Sequence, residues 1–147
     1  MLQTITACLC LLIATTLIHY EVLRTLNAHL HRLRTRDRFK VVVVILTAFL
    51  AHTIEIALYG ATLYSLVTWF GAGKLVGSAG SSWTTCLYFS SETYTSLGFG
   101  DLTAAGPVRL LVGTEALNGL LLIAWSASFT YLCMERFWKP EQPQSPH

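Results

Sequence analysis

In this 147-residue chain, Thr95-Ser96-Leu97-Gly98-Phe99-Gly100-Asp101 is the stretch with the most specific chemistry. Two glycines alternate with two larger residues, and an acid follows. Glycine alone reaches positive φ without a Cβ clash. Backbone that alternates between left- and right-handed conformations turns successive carbonyls to the same side. Four such segments around an axis would stack rings of carbonyl oxygens, and those rings replace the hydration shell of a bare cation. The reading places the ion path along the carbonyls of Ser96, Leu97, Gly98 and Phe99, with Thr95, Gly100 and Asp101 as flanking support. One segment per chain requires four chains, hence a homotetramer.

A second set of residues is ionisable or polar within apolar runs. His52 and Glu55 stand three apart, on one helix face. Glu115 and Asn118 do the same on a later helix. Such groups are costly at membrane depth and need partners. His52 and Glu55 are expected to meet Asn118, with Glu115 as a further member. Depth motivates this: Glu55 lies roughly 22 Å below Phe70 and Asn118 roughly 16 Å below Pro107. The cluster is either a static brace between helices or an ion or proton site. In the second case His52, with its unperturbed pKa near neutrality, is the pH-sensitive member.

The elements that hold these residues follow from composition. Hydrophobic residues make up 53% of the chain and charged residues only 12%. Those charges cluster and leave long bare stretches, the distribution of a membrane protein. Ile5 to Leu23 is long enough to span. No Lys or Arg precedes Arg24, so the run reads as an uncleaved helix rather than a signal peptide. Arg24 to Lys40 is basic, and the positive-inside rule places it in the cytoplasm with the amino terminus outside. Arg32, Arg34, Arg36 and Arg38 recur at every second position outside an apolar helix. That spacing is not a voltage sensor's. The arginines either set topology alone or also contact anionic lipid headgroups.

Val41 to Phe70 is the second span, with Trp69 and Phe70 as outer-interface anchors. Gly71 to Ser81 reads as an outer loop, and Ser81 or Ser82 can cap the next helix. Trp83 to Tyr94 is too short to span and reads as a re-entrant helix, tolerated at depth when buried in protein. Its carboxyl end would face a permeating cation, as the helix macrodipole favours. Pro107 suits the first turn of a final span from Val108 to Trp138. Arg136 and Lys139 lie at its inner end, which places the carboxyl terminus in the cytoplasm. Pro140 to His147 is a short polar tail, expected to be disordered. The four cysteines are scattered, so no disulfide framework is expected, and Cys8 and Cys10 read as helix packing. Walker, Rossmann and zinc-type motifs are absent, so the expectation is a non-enzyme without organic cofactor or nucleic-acid partner.

The filter run resembles the potassium-channel signature T-T-V-G-Y-G-D, with Ser96 for the second threonine, Leu97 for valine and Phe99 for tyrosine. The resemblance is to the bacterial-type pore-loop potassium channels. It implies an all-α membrane protein with outer helix, re-entrant pore helix, selectivity filter and inner helix, to which this chain adds an amino-terminal helix. It divides the chain into residues 1–40, a pore domain 41–138 and a tail 139–147. It implies potassium at the filter, with the Ser96 hydroxyl at the innermost site. It also implies that Glu92 and Asp101 form a carboxyl pair behind the filter, directly or through water, one of them keeping a proton. Phe99 lacks the phenol that commonly braces such a filter. Gly119 lies near the family's inner-helix hinge, with close packing as the alternative. The implied function is passive potassium transport in a plasma or inner membrane. The alternatives are a weakly selective monovalent cation channel and a non-conducting regulatory or structural subunit.

Overall fold

The computed structural model describes residues 1–30, 36–77 and 80–138. Arg32, Arg34, Lys139 and the tail from Pro140 lie outside the described residues. In chain order come α1 (Leu2–Leu30), α2 (Asp37–Thr68), β1 (Lys74–Gly77), α3 (Trp83–Tyr94), β2 (Leu102–Ala105) and α4 (Val108–Trp138). The three long helices are each long and apolar enough to cross a membrane. The short helix α3 packs between α2 and α4. This is an integral membrane protein with a pore-loop arrangement of outer, re-entrant and inner helices, plus one further helix.

Each boundary has a local cause. Ser82 caps α3: its hydroxyl accepts from the Thr85 N–H at 3.1 Å. This satisfies one of the donors that every helix start leaves free. Gly106 adopts φ +86 and Pro107 follows, so α4 opens on a residue whose φ suits a first turn. The outer loop contains a feature the sequence reading did not anticipate. Its strand β1 pairs antiparallel with β2, in register from Lys74 opposite Ala105 to Gly77 opposite Leu102. Four residues without clean alternation give little strand signal. The ladder ties the loop before the pore helix to the loop after the filter. Leu75 and Leu102 anchor it in the core beneath.

The main core gathers Tyr59, Leu63 and Leu66 of α2, Cys86, Phe89 and Tyr94 of α3, and Val108 and Leu111 of α4. Cys8 and Leu11 of α1 belong to the same cluster. Cys8 is therefore packing, as its apolar setting implied; Cys10 is exposed. A smaller cluster closes the opposite end of the bundle, where Leu26 and Leu30 meet Val44 and Cys133. Helix α1 is thus bound to the other helices at both depths.

Two glycines let helices approach closely. At Gly60 an added Cβ would lie 3.1 Å from the Leu87 Cα. At Gly119 it would lie 2.1 Å from the Tyr94 carbonyl oxygen and 2.9 Å from its carbon. Helix α4 runs unbroken through Gly119. The geometry here is that of close packing. Replacing Gly119 by alanine would gain up to about 1 kcal/mol of helix propensity. The clash is with backbone, which cannot rotate aside, and overpacking costs about 1–3 kcal/mol. Gly119→Ala is therefore expected to lower the unfolding midpoint of the detergent-solubilised protein. A raised midpoint would show that propensity wins and that the contact is loose.

Candidate functional site

The segment from Thr95 to Asp101 grows out of the end of α3. The Leu97 N–H bonds the Glu92 carbonyl and the Ser96 N–H bonds the Thr93 carbonyl, both at 2.9 Å. Ser96 has φ +57. This is a Schellman cap with serine in the left-handed position that glycine usually takes. Gly98 (φ +51) and Gly100 (φ +81) are left-handed as well. Every second residue from Ser96 to Gly100 therefore has positive φ. The glycines were anticipated from the sequence; Ser96, a residue that carries a Cβ, was not.

The segment has no cover within one chain. Leu97 is 61% and Phe99 66% exposed. An added Cβ at Gly98 or Gly100 would meet nothing within 4 Å. Behind the segment lies a groove of about 480 Å³ lined by Glu92, Ser96, Gly98, Gly100 and Arg109. Glu92 is buried, and its Oε1 meets no hydrogen-bond partner. Asp101 accepts from the Tyr88 hydroxyl at 3.2 Å. Among the described residues no hydrogen bond joins Glu92 to Asp101. Tyr88, one turn before Glu92, occupies the place of such a partner.

Glu55, Glu115 and Asn118 are buried and His52 is half-buried, and they fall into three neighbouring networks rather than one. Glu55 accepts from the Tyr94 hydroxyl in a short hydrogen bond, and its other oxygen lies 2.9 Å from His19 Nδ1. His52 Nδ1 lies 3.2 Å from Glu55 Oε2 and 2.9 Å from the Tyr94 oxygen. His52 and His19 both direct Nε2 to the Ser126 hydroxyl, each at 3.1 Å. Trp125 packs against His19 with ring centroids 5.4 Å apart. Glu115 accepts a short hydrogen bond from Ser90, whose hydroxyl also lies 2.9 Å from the Ile56 carbonyl. Asn118 donates to Thr15 at 2.7 Å and to Tyr59 at 3.2 Å.

The expected contact of His52 and Glu55 with Asn118 does not form. On α4 His52 meets Ser126 instead, about two turns nearer the carboxyl end, roughly 12 Å from Asn118. The partners overlooked in the sequence are His19, Thr15, Tyr94 and Ser126. His19 carried a signal: it is an ionisable residue inside an apolar run, and the rule that singled out His52 applies equally to it. Thr15 and Ser126 carried none, because Ser and Thr satisfy themselves in helices by bonding the preceding turn.

A re-entrant helix capped by a left-handed, glycine-alternating segment between two membrane-spanning helices defines the class of pore-loop membrane proteins. A family model described as ion channel matches residues 39–136, well over half of the chain. The protein belongs to this ion-channel family, in which two spanning helices flank a pore loop. No curated protein and no solved structure matches the chain.

Asn118 and Thr15 join α4 to α1 across a buried hydrogen bond. Such pairs within membranes average about 0.6 kcal/mol and reach about 1.7 kcal/mol. A double-mutant cycle with Thr15→Val and Asn118→Leu, read by denaturant unfolding in detergent, is expected to give a coupling inside that range. Additive effects would show that α1 is held by other contacts.

Proposed function

We propose that the protein is a potassium channel, in which four copies surround one axis and potassium passes along the carbonyls of Ser96, Leu97, Gly98 and Phe99. The observation that carries this reading is the left-handed backbone at Ser96, Gly98 and Gly100. An alternating backbone of this kind presents successive carbonyls to one side, and rings of carbonyls select and conduct dehydrated cations. The exposure of Leu97 and Phe99 in one chain supports the tetramer, since neighbouring copies would bury them. The Ser96 hydroxyl supplies the innermost ion site. Glu92 supports the filter from behind, where the groove has room for water to reach its unpartnered oxygen.

In this reading residues 41–138 are the pore domain. The amino terminus faces outward and the carboxyl terminus the cytoplasm of a plasma or inner membrane, as the basic residues from Arg24 to Lys40 favour. Arg32, Arg34, Arg36 and Arg38 then lie at the height of anionic headgroups. No catalytic role is assigned to any residue.

The test is ion flux through purified protein in liposomes. Reversal potentials in mixed potassium and sodium are expected to follow the potassium gradient, and native mass should give four copies. A reversal potential between the two gradients indicates the weakly selective channel, and absence of flux the non-conducting subunit. Gly98→Ala adds a Cβ at φ +51, a conformation costing an L-residue about 1–2 kcal/mol. It is expected to abolish selective flux. Unchanged selectivity in a folded Gly98→Ala tetramer removes the carbonyl assignment.

A further inference from the structure

Four potential ligand groups converge at one depth, and ion conduction uses none of them. One donor atom from each of His19, His52 and Glu55 lies within 4.8 Å of the other two. Both imidazoles turn Nδ1 toward the carboxylate, at 2.9 and 3.2 Å. The Tyr94 oxygen adjoins His52 Nδ1 at 2.9 Å and bonds the same carboxylate. Both imidazoles turn Nε2 to the single hydroxyl of Ser126.

Counting protons shows what this arrangement permits. A serine hydroxyl has one proton and two acceptor lone pairs. With protons alone, both Nδ1 atoms can carry hydrogen toward the carboxylate and phenol oxygens they face. Ser126 can then donate to one Nε2 and accept from the other. The network then closes with one imidazolium, one neutral imidazole and the Glu55 carboxylate, or equally with that proton on Glu55 and both imidazoles neutral. A divalent cation gives a second closed arrangement. It takes both Nδ1 lone pairs, the Glu55 carboxylate and the Tyr94 phenolate. Both Nε2–H groups then donate to the two lone pairs of Ser126. A hydrogen bond from the far nitrogen is what orients metal-bound histidine in general. Both arrangements are electrically neutral, which a buried membrane site demands. Passing from the first to the second releases two protons: three N–H and one O–H become two N–H.

We propose that His19, His52, Glu55 and Tyr94 form a binding site for a divalent cation of the zinc class, at the junction of α1, α2 and α3. Two imidazoles, a carboxylate and a phenolate suit a borderline cation in four-coordination. Bonds of about 2.0–2.1 Å in a tetrahedron space the donors roughly 3.3 Å apart. The nitrogen–oxygen contacts at 2.9 and 3.2 Å need to open by a few tenths of an ångström, the Tyr94–Glu55 contact by more, and donors up to 4.8 Å apart need to close. His52 and Tyr94 also line a groove of about 680 Å³ with Phe49, Leu87, Ser91 and Ile123. Tyr94 directly precedes Thr95 and the filter, so the bound ion fixes the inner end of the permeation segment to the outer helix and to α1.

The test uses the full chain, purified in detergent and titrated with Co²⁺ as a visible stand-in for Zn²⁺. One Co²⁺ per chain is expected, with the absorption of a four-coordinate site, displaced by Zn²⁺. Affinity should fall about a hundredfold for each unit by which the pH is lowered, the slope of two released protons. Zn²⁺ should raise the unfolding temperature, since a ligand stabilises the state that binds it. His19→Gln and Tyr94→Phe should each weaken binding at least about tenfold and remove the thermal shift, while His29→Gln, on the exposed inner part of α1, should change neither. If His19→Gln does not assemble, Tyr94→Phe, which keeps the buried ring, decides alone. Absence of a Co²⁺ band and of a Zn²⁺ thermal shift in the unaltered protein overturns the proposal and leaves a network of protons only. A band that survives in Tyr94→Phe at unchanged affinity also overturns it, by placing the donors elsewhere.

Discussion

The hydrogen bond from the Tyr94 hydroxyl to Glu55 joins the last residue of the pore helix to the middle of the outer helix. Both partners are fully buried. A carboxylate at that depth is tolerable only when every oxygen has a donor. The donors come from α1 and α3 as well as from the next turn of α2 itself, and Ser126 of α4 holds the two imidazoles from behind. One unaffordable charge thus forces four helices into a single arrangement. Apolar packing could not do so alone, because lipid tails are as apolar as the helix faces and give little preference among packings.

This constraint explains why α1 belongs to the structure rather than hanging beside it. Without His19 one Glu55 oxygen would lose its donor. Without Thr15 the Asn118 amide would keep only Tyr59. The two polar contacts lie about one helix turn apart on α1, on the face that also carries buried Cys8, Leu11 and Leu23. The salt bridge of Arg24 with Glu21 on the same helix is exposed and contributes little. What holds α1 is its buried polar stripe, flanked by the apolar contacts above and below.

The spans, the pore helix from Trp83 to Tyr94 and the final helix from Val108 to Trp138 were all legible from the sequence, because run length, Ser82, Gly106 and Pro107 are local signals. The first helix extends beyond the apolar run at both ends and the second begins four residues before it, since basic and polar residues continue a helix once its core is buried, whereas the second ends at Thr68, short of Phe70. The partners of Glu55 were not legible. Which turn of α4 faces which turn of α2 depends on tilt and depth, and sequence sets neither. Depth along straight helices, with tilt taken to make up the difference, pointed to Asn118, whereas packing brings Ser126 to His52. The left-handed Ser96 was hidden for a different reason. Its φ is imposed by the Schellman cap of α3, and residue type gives no hint of it.

In the proposed channel Phe99 offers the filter no phenol, so its rigidity must come from another source. The structure has two phenols on the pore helix instead. The Tyr88 hydroxyl reaches Asp101 just beyond the filter, and the Tyr94 hydroxyl reaches Glu55 just before it. Tyr94 is held at its other end too, because Gly119 brings α4 within contact of its carbonyl group. The segment from Thr95 to Gly100 is therefore strung between two anchored points. Its backbone starts from a capped helix end and finishes at Asp101, next to the β1–β2 ladder. Bracing at both ends can restrain a short left-handed stretch as effectively as a hydroxyl at its centre. The remaining freedom lies sideways, where the exposed faces of Leu97 and Phe99 have no support from their own chain.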